Sequence, residues 1–145
     1  MKKYNYLQRG MKQNKKVQIG SESGSSWIIH SDKYGHVHRV GAAAYIEFDS
    51  ITREIKQESW KIHGKFHRLD GPAVRWDNGD RDWYINDELH RLDGPAMECA
   101  NGEKYWYIMG KDCKTEEEWF NALTEQDQIA YLFKINKYKG CNDTR

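Results

Sequence analysis

The side chains with the most chemical promise come as two copies of one trio. His67, Arg68 and Asp70 recur as His90, Arg91 and Asp93, inside the identical heptapeptide His-Arg-Leu-Asp-Gly-Pro-Ala. A histidine base, an anion-binding guanidinium and a carboxylate that orients the imidazole are adequate for acid–base work on a phosphate ester. The same residues suit an inter-hairpin staple, in which Asp caps a turn, His bonds a neighbouring carbonyl and Arg lies along the adjacent copy. Two copies in register favour the staple. A catalytic constellation is ordinarily built once from unlike residues, whereas an architectural device recurs with every repeat. The sequence therefore gives these six residues a structural role and assigns no catalytic residue.

His36-x-His38 and His63-x3-His67 have spacings that zinc could use. No Cys-x2-Cys pair or nearby carboxylate completes a tetrahedral set, so no metal and no cofactor is assigned. No Gly-x-Ser-x-Gly elbow marks a nucleophile. The better functional lead is a tyrosine-bearing surface. Tyr84, Tyr105 and Tyr107 are expected on neighbouring strands near Arg75 and Lys61, a composition favoured at protein interfaces and able to stack a nucleotide base. Cross-strand pairing on a wet sheet face would use the same residues.

These side chains must be positioned by a repeat of 23 residues (90 − 67). A degenerate copy with His38-Arg39 precedes the two full ones and is 29 residues long (67 − 38). Its six extra residues extend a hairpin around Asp49-Ser50-Ile51-Thr52-Arg53, a place where binding specificity is often carried. Each copy continues as strand, turn and strand, with Asn78-Gly79 and Asn101-Gly102 as hairpin turns and Leu-Asp-Gly-Pro as a second turn signal. Each copy ends in Trp-x-Ile, at Trp60, Trp83 and Trp106. Alternation sorts Ile46, Phe48, Trp60, Ile62, Val74, Trp76, Trp83, Ile85, Met97, Cys99, Trp106 and Ile108 onto an apolar face. Tyr45, Glu47, Ser59, Lys61, Arg75, Asp82, Tyr84, Glu98, Tyr105 and Tyr107 fall on the other.

A cover for the apolar face lies at the C-terminus. Thr115-Glu116-Glu117-Glu118 starts a helix through about Leu123, with Trp119, Phe120 and Leu123 as its bulk. Thr124-Glu125-Gln126-Asp127 starts another, with Ile129, Leu132, Phe133 and Asn136 on one side. The expected fold is mainly β with α: an antiparallel meander of repeated hairpins, about six strands, capped by one or two helices. Residues 1–26 read as a basic, Ser/Gly-rich, partly flexible arm, 27–111 as the repeats and 112–145 as the cap.

Charge bears on partners. Residues 1–32 carry six Lys/Arg against two acids, 33–110 eleven against thirteen, and 111–145 six against seven. By charge alone the repeat body is thus no nucleic-acid surface; the basic arm (Lys2, Lys3, Arg9, Lys12, Lys15, Lys16) reads first as a solvated flexible tail and second as a phosphate-seeking arm. The absence of a long apolar run argues against a membrane span or signal peptide. The odd, scattered set Cys99, Cys113 and Cys141 reads as reduced thiols in a cytoplasm.

The fragments Tyr34-Gly35-His36-Val37-His38, His63-Gly64-Lys65-Phe66-His67 and Asn86-Asp87-Glu88-Leu89-His90 resemble the Asn-Gly-Lys-x-His portion of MORN repeats, which also recur at 23 residues. The likeness covers about residues 33–111. Where the MORN pattern continues His-Gly-x-Gly, this chain has His-Arg-Leu-Asp-Gly-Pro-Ala. That variant is similar to uncharacterised repeat proteins of large phages, giant viruses and some bacteria, whose arrays also end in Gly-Lys and an acidic helix start. The resemblance implies a β-hairpin array and interaction work. The expectation is a non-enzymatic protein that binds a protein partner, with a phage accessory protein inhibiting a host protein as the most concrete form. A nucleotide sink and a small phosphoesterase are the rivals. Edge strands of an open meander make homo-oligomers plausible.

Overall fold

The computed structural model describes residues 16–139. A nine-stranded antiparallel meander is formed by β1 (Lys16–Glu22), β2 (Ser25–Ser31), β3 (Tyr45–Asp49), β4 (Ile55–Ser59), β7 (Val74–Trp76), β8 (Arg81–Asp82), β11 (Met97–Glu98), β12 (Lys104–Ile108) and β13 (Lys111–Cys113). Two tight hairpins stand outside this ladder: β5 (Lys61–Ile62) with β6 (Lys65–Phe66), and β9 (Tyr84–Ile85) with β10 (Glu88–Leu89). The helices α1 (Glu116–Ala122) and α2 (Glu125–Lys139) follow. This is the helix-capped β-meander expected, with more strands than the six counted from sequence.

The extra strands come from a second hairpin in each repeat. Its turns are His63-Gly64, Asn86-Asp87 and Met109-Gly110, with φ of 49° and 83°, 53° and 71°, and 48° and 74°. Paired left-handed residues match the right-handed twist of flanking strands, so these turns close two-residue hairpins. Asn78-Gly79 and Asn101-Gly102 turn the main-sheet hairpins as expected, with Gly79 and Gly102 at positive φ.

The N-terminal boundary needs correction. Residues 16–31 form a hairpin turned at Ser23-Gly24 and paired from Lys16↔Ser31 to Glu22↔Ser25, so the part of the expected arm from Lys16 onward is paired strand and turn. Lys2, Lys3, Arg9, Lys12 and Lys15 lie outside the described residues.

Register also overturns the two faces. Tyr45, Ser59, Val74, Asp82, Met97 and Tyr105 pair in one row across five ladders, which puts them on one side of the sheet. Ile46, Glu58, Arg75, Arg81, Glu98 and Lys104 form the next row, on the other side. Val74 and Met97 therefore do not share a side with Ile46. Alternation is correct within each strand, but the phase between strands is set by loop length, and a one-residue difference flips a whole strand. Ser59 and Asp82, expected in water, are buried.

The C-terminal helices close the end of the sheet. Trp106, Cys113, Trp119, Leu123 and Tyr131 form the core, with Ile108, Phe120 and Ile135 packed against it. Thr115 caps α1, its Oγ1 accepting from the Glu118 amide at 3.1 Å. Thr124 does the same for α2 through the Asp127 amide at 3.2 Å. The buried side of α2 differs from the expected one. Tyr131 sits edge-on to Trp119 at 5.0 Å and its hydroxyl bonds Glu116, whereas Ile129, Leu132 and Phe133 are exposed. An aromatic with a polar tip satisfies both the core and a helix-start carboxylate, and that decides the rotation of α2.

Candidate functional site

The His-Arg-Leu-Asp-Gly-Pro-Ala segments can be read residue by residue from their surroundings. Their histidines join successive copies. Nδ1 of His38 accepts from the His63 amide at 3.0 Å, and Nδ1 of His90 from the Met109 amide at 3.1 Å. Nδ1 of His67 meets Asn86 Oδ1 at 2.9 Å. His63, Asn86 and Met109 are the first turn residues of the next small hairpin, 23 residues apart. The second turn residue completes each junction: the amides of Gly64, Asp87 and Gly110 donate to the carbonyls of Val37, Phe66 and Leu89 at 2.8, 2.9 and 2.9 Å.

The arginines hold their own loop and, as expected, lie along the adjacent copy through its tryptophan. Arg68 donates to Asp70 Oδ1 at 2.8 Å and to the Pro72 carbonyl at 3.2 Å, and its guanidinium lies 4.0 Å from the Trp60 ring centre. Arg91 repeats this with Asp93 at 2.6 Å, Pro95 at 3.0 Å and Trp83 at 3.8 Å, and adds Glu98 at 2.7 Å. A planar fork stacked on an aromatic ring is work that lysine cannot do. Gly71 and Gly94 are needed for space, not for φ: a Cβ at either would come within 3.0 Å of its copy's guanidinium carbon. Ala73 and Ala96 are wholly buried.

Among the described residues, no arginine lies over the last tryptophan of the series, Trp106. Trp119 packs on Trp106 at 4.7 Å, and its indole N–H donates to the Arg91 carbonyl at 3.0 Å. Helix α1 thus supplies the lid that a further repeat would have supplied.

One letter of the heptapeptide has no such job. Leu69 is 83% and Leu92 39% exposed. Both line a groove of about 630 Å³ between the two loops, with Trp83, Ile85 and Met109 as apolar neighbours and the Arg–Asp pairs beside them. The arginines' bonds keep their charge local, so the groove offers apolar contact with polar margins.

The tyrosine cluster forms only in part. Lys61, Tyr84 and Tyr107 occupy equivalent positions on successive small hairpins. The Lys61 ammonium lies 4.0 Å from the Phe66 ring centre, and Phe66 stacks on Tyr84 at 5.3 Å. Burial, then the charges of Asp82 and Asp87 and the Tyr107 phenol, push the Tyr84 hydroxyl above its ordinary pKa. Arg75 and Tyr105 are elsewhere. Arg75 bonds Glu58 on one side of the main sheet, whereas Tyr105 pairs with Met97 on the other and donates to Glu103 at 3.3 Å. The long β3–β4 hairpin does project, with Ile51 89% exposed at its tip.

A carboxylate stands among the first histidines, contrary to the sequence reading. Asp32 Oδ2 is 3.0 Å from His63 Nδ1 and 3.3 Å from His36 Nδ1. Its Oδ1 accepts from the amides of Tyr34 and His36 at 2.8 and 3.0 Å. Burial works to raise the Asp32 pKa, but the bonds from His63, the two amides and His36 overcome it and hold the carboxyl well below the usual range. The turn-forming Asp-x-x-Gly-His segment was the available signal, since aspartate commonly bonds amides just ahead of it.

No family model, curated protein or solved structure matches the chain. Among the described residues, no helix is long and apolar enough to cross a membrane.

Proposed function

We propose that this chain is a non-enzymatic repeat protein that binds a protein partner in the groove between its two intact loops. One observation carries the reading: every residue of the repeated heptapeptide serves the architecture except the leucine, and both leucines line that groove. Repetition of a residue with no structural duty points to use. The footprint extends to Met109, while Ile51 on the long hairpin is a separate exposed apolar point.

The MORN-like pattern and its likeness to phage repeat proteins make the partner a host protein, bound and inhibited in the host cytoplasm. The phosphoesterase reading asks for an aspartate that orients each histidine, whereas Asp70 and Asp93 accept from Arg68 and Arg91. The nucleotide-sink reading asks for unengaged cations, whereas Arg68 and Arg91 each hold an aspartate.

The test is capture of partners from host lysate by the wild-type chain and by a Leu69→Asp, Leu92→Asp variant, with folding checked by circular dichroism. A partner retained by the first and lost from the second is expected. Equal retention would remove the groove from the binding site.

A further inference from the structure

His38, His67 and His90 recur as junction residues, but among the described residues only His38 has two further ligand-type side chains gathered within 4.8 Å. The position of Asp32 is taken by Lys61, Tyr84 and Tyr107 in later copies, that of His63 by Asn86 and Met109, and that of His36 by Lys65, Glu88 and Lys111. Asp32, His36 and His63 are thus unlike residues brought together once, which the architecture does not require.

Their geometry is that of a ligand set. The Asp32 side chain is nearly buried and pinned by two amides on Oδ1, which leaves Oδ2 facing the imidazoles. The rings of His38 and His63 lie 4.5 Å apart, and one ligand atom from each of Asp32, His38 and His63 can be chosen within 4.8 Å of the others. Tetrahedral zinc, with bonds of about 2.0–2.1 Å, holds neighbouring donors about 3.3 Å apart. Asp32 and His63 are already near that spacing, and His38 must close by up to about 1.5 Å. Two imidazoles and one carboxylate are donors suited to zinc-class ions and poor for magnesium or calcium.

We propose that Asp32, His38 and His63 bind one divalent transition-metal ion of the zinc class, with solvent at the fourth position. The ion takes the place of the proton on His63 Nδ1, and the ring keeps its one proton on Nε2, so that His63 ligates as neutral imidazole. His38 enters through Nε2. Its ring proton then moves to Nδ1, and the bond from the His63 amide is given up. The ion thereby replaces one hydrogen-bonded junction between the first two copies with a coordinate one.

The experiment is calorimetric titration of the metal-free full chain with zinc chloride, repeated on His63→Gln and Asp32→Asn. The His63 side chain is 65% exposed, and its junction bond is made by its backbone, so the glutamine variant is expected to fold. One equivalent should bind to the wild type at micromolar concentration or below, and each variant should weaken it by about 100-fold or more. His67→Gln should leave the affinity unchanged. The His63 amide resonance should shift on zinc binding, and the cobalt-loaded chain should lack a thiolate charge-transfer band. No uptake, wild-type affinity in folded His63→Gln, or a cobalt–thiolate band would each overturn the assignment.

Discussion

Replacing Asp82 with asparagine should stabilise the protein at neutral pH and leave it nearly unchanged in acid. Asp82 lies in the middle of the sheet between Val74 and Met97, and only 7% of it is exposed. Burial, then the charge of Asp80, raises its pKa from 3.8 to about 6. The unfolded chain releases this proton near 3.8, so between the two values the native state binds more protons than the unfolded state. Stability therefore falls as pH rises through that window, and the loss is complete above about pH 6. A gap of about two units at 1.36 kcal/mol each sets a ceiling of about 3 kcal/mol. An asparagine amide is still a buried polar group, which reduces the expected gain to about 1–2 kcal/mol. The assay is urea unfolding of both proteins at pH 4, 5, 6 and 7.5, taking the difference at each pH so that groups common to both cancel. A difference that grows from near zero at pH 4 to a plateau above pH 6 is expected. A difference flat with pH, or a variant less stable at pH 7.5, would refute the reasoning.

Trp119→Ala should cost about 3–5 kcal/mol, because it empties the centre of the helical cap and uncovers Trp106; a loss below about 1 kcal/mol in urea would show that the helices are not the lid. Arg91→Lys keeps the charge but loses the fork shared by Asp93, Pro95 and Glu98, and should lower stability by about 1–3 kcal/mol. Arg68→Lys, with no Glu98 equivalent, should cost less in the same melt. Met109→Asn should raise stability by roughly 0.5–1 kcal/mol, since Met109 holds φ of 48° where asparagine is at ease. Gly20→Val should destabilise by about 1–3 kcal/mol in urea unfolding, because a Cβ there would stand 2.5 Å from the Trp27 ring.

What the sequence disclosed divides by range. Helix starts at Thr115 and Thr124, and the turns at Asn78-Gly79 and Asn101-Gly102, are local chemistry and could be read directly. The staple reading of the heptapeptide followed from repetition, although the histidines accept amide protons or meet a side chain rather than bonding carbonyls. The small hairpins were missed because His63-Gly64, Asn86-Asp87 and Met109-Gly110 share a conformation but no common residue pair. Phase between strands was missed for a related reason: loops decide it, and alternation carries no memory across them. Asp32 was passed over because its meeting with His63 spans 31 residues and depends on how two loops of adjacent copies are stacked.

The junctions join only consecutive copies, and this sets how the protein can change in size. A duplication of residues 67–89 would place a histidine, an arginine and a small hairpin against neighbours of the kind each already meets, while α1 would still seal the final tryptophan. Each added unit would carry one more outward leucine and lengthen the groove by one loop. Copy number then acts as a ruler: a lineage could match partners of different contact length by whole-unit gain or loss, without redesigning a single contact.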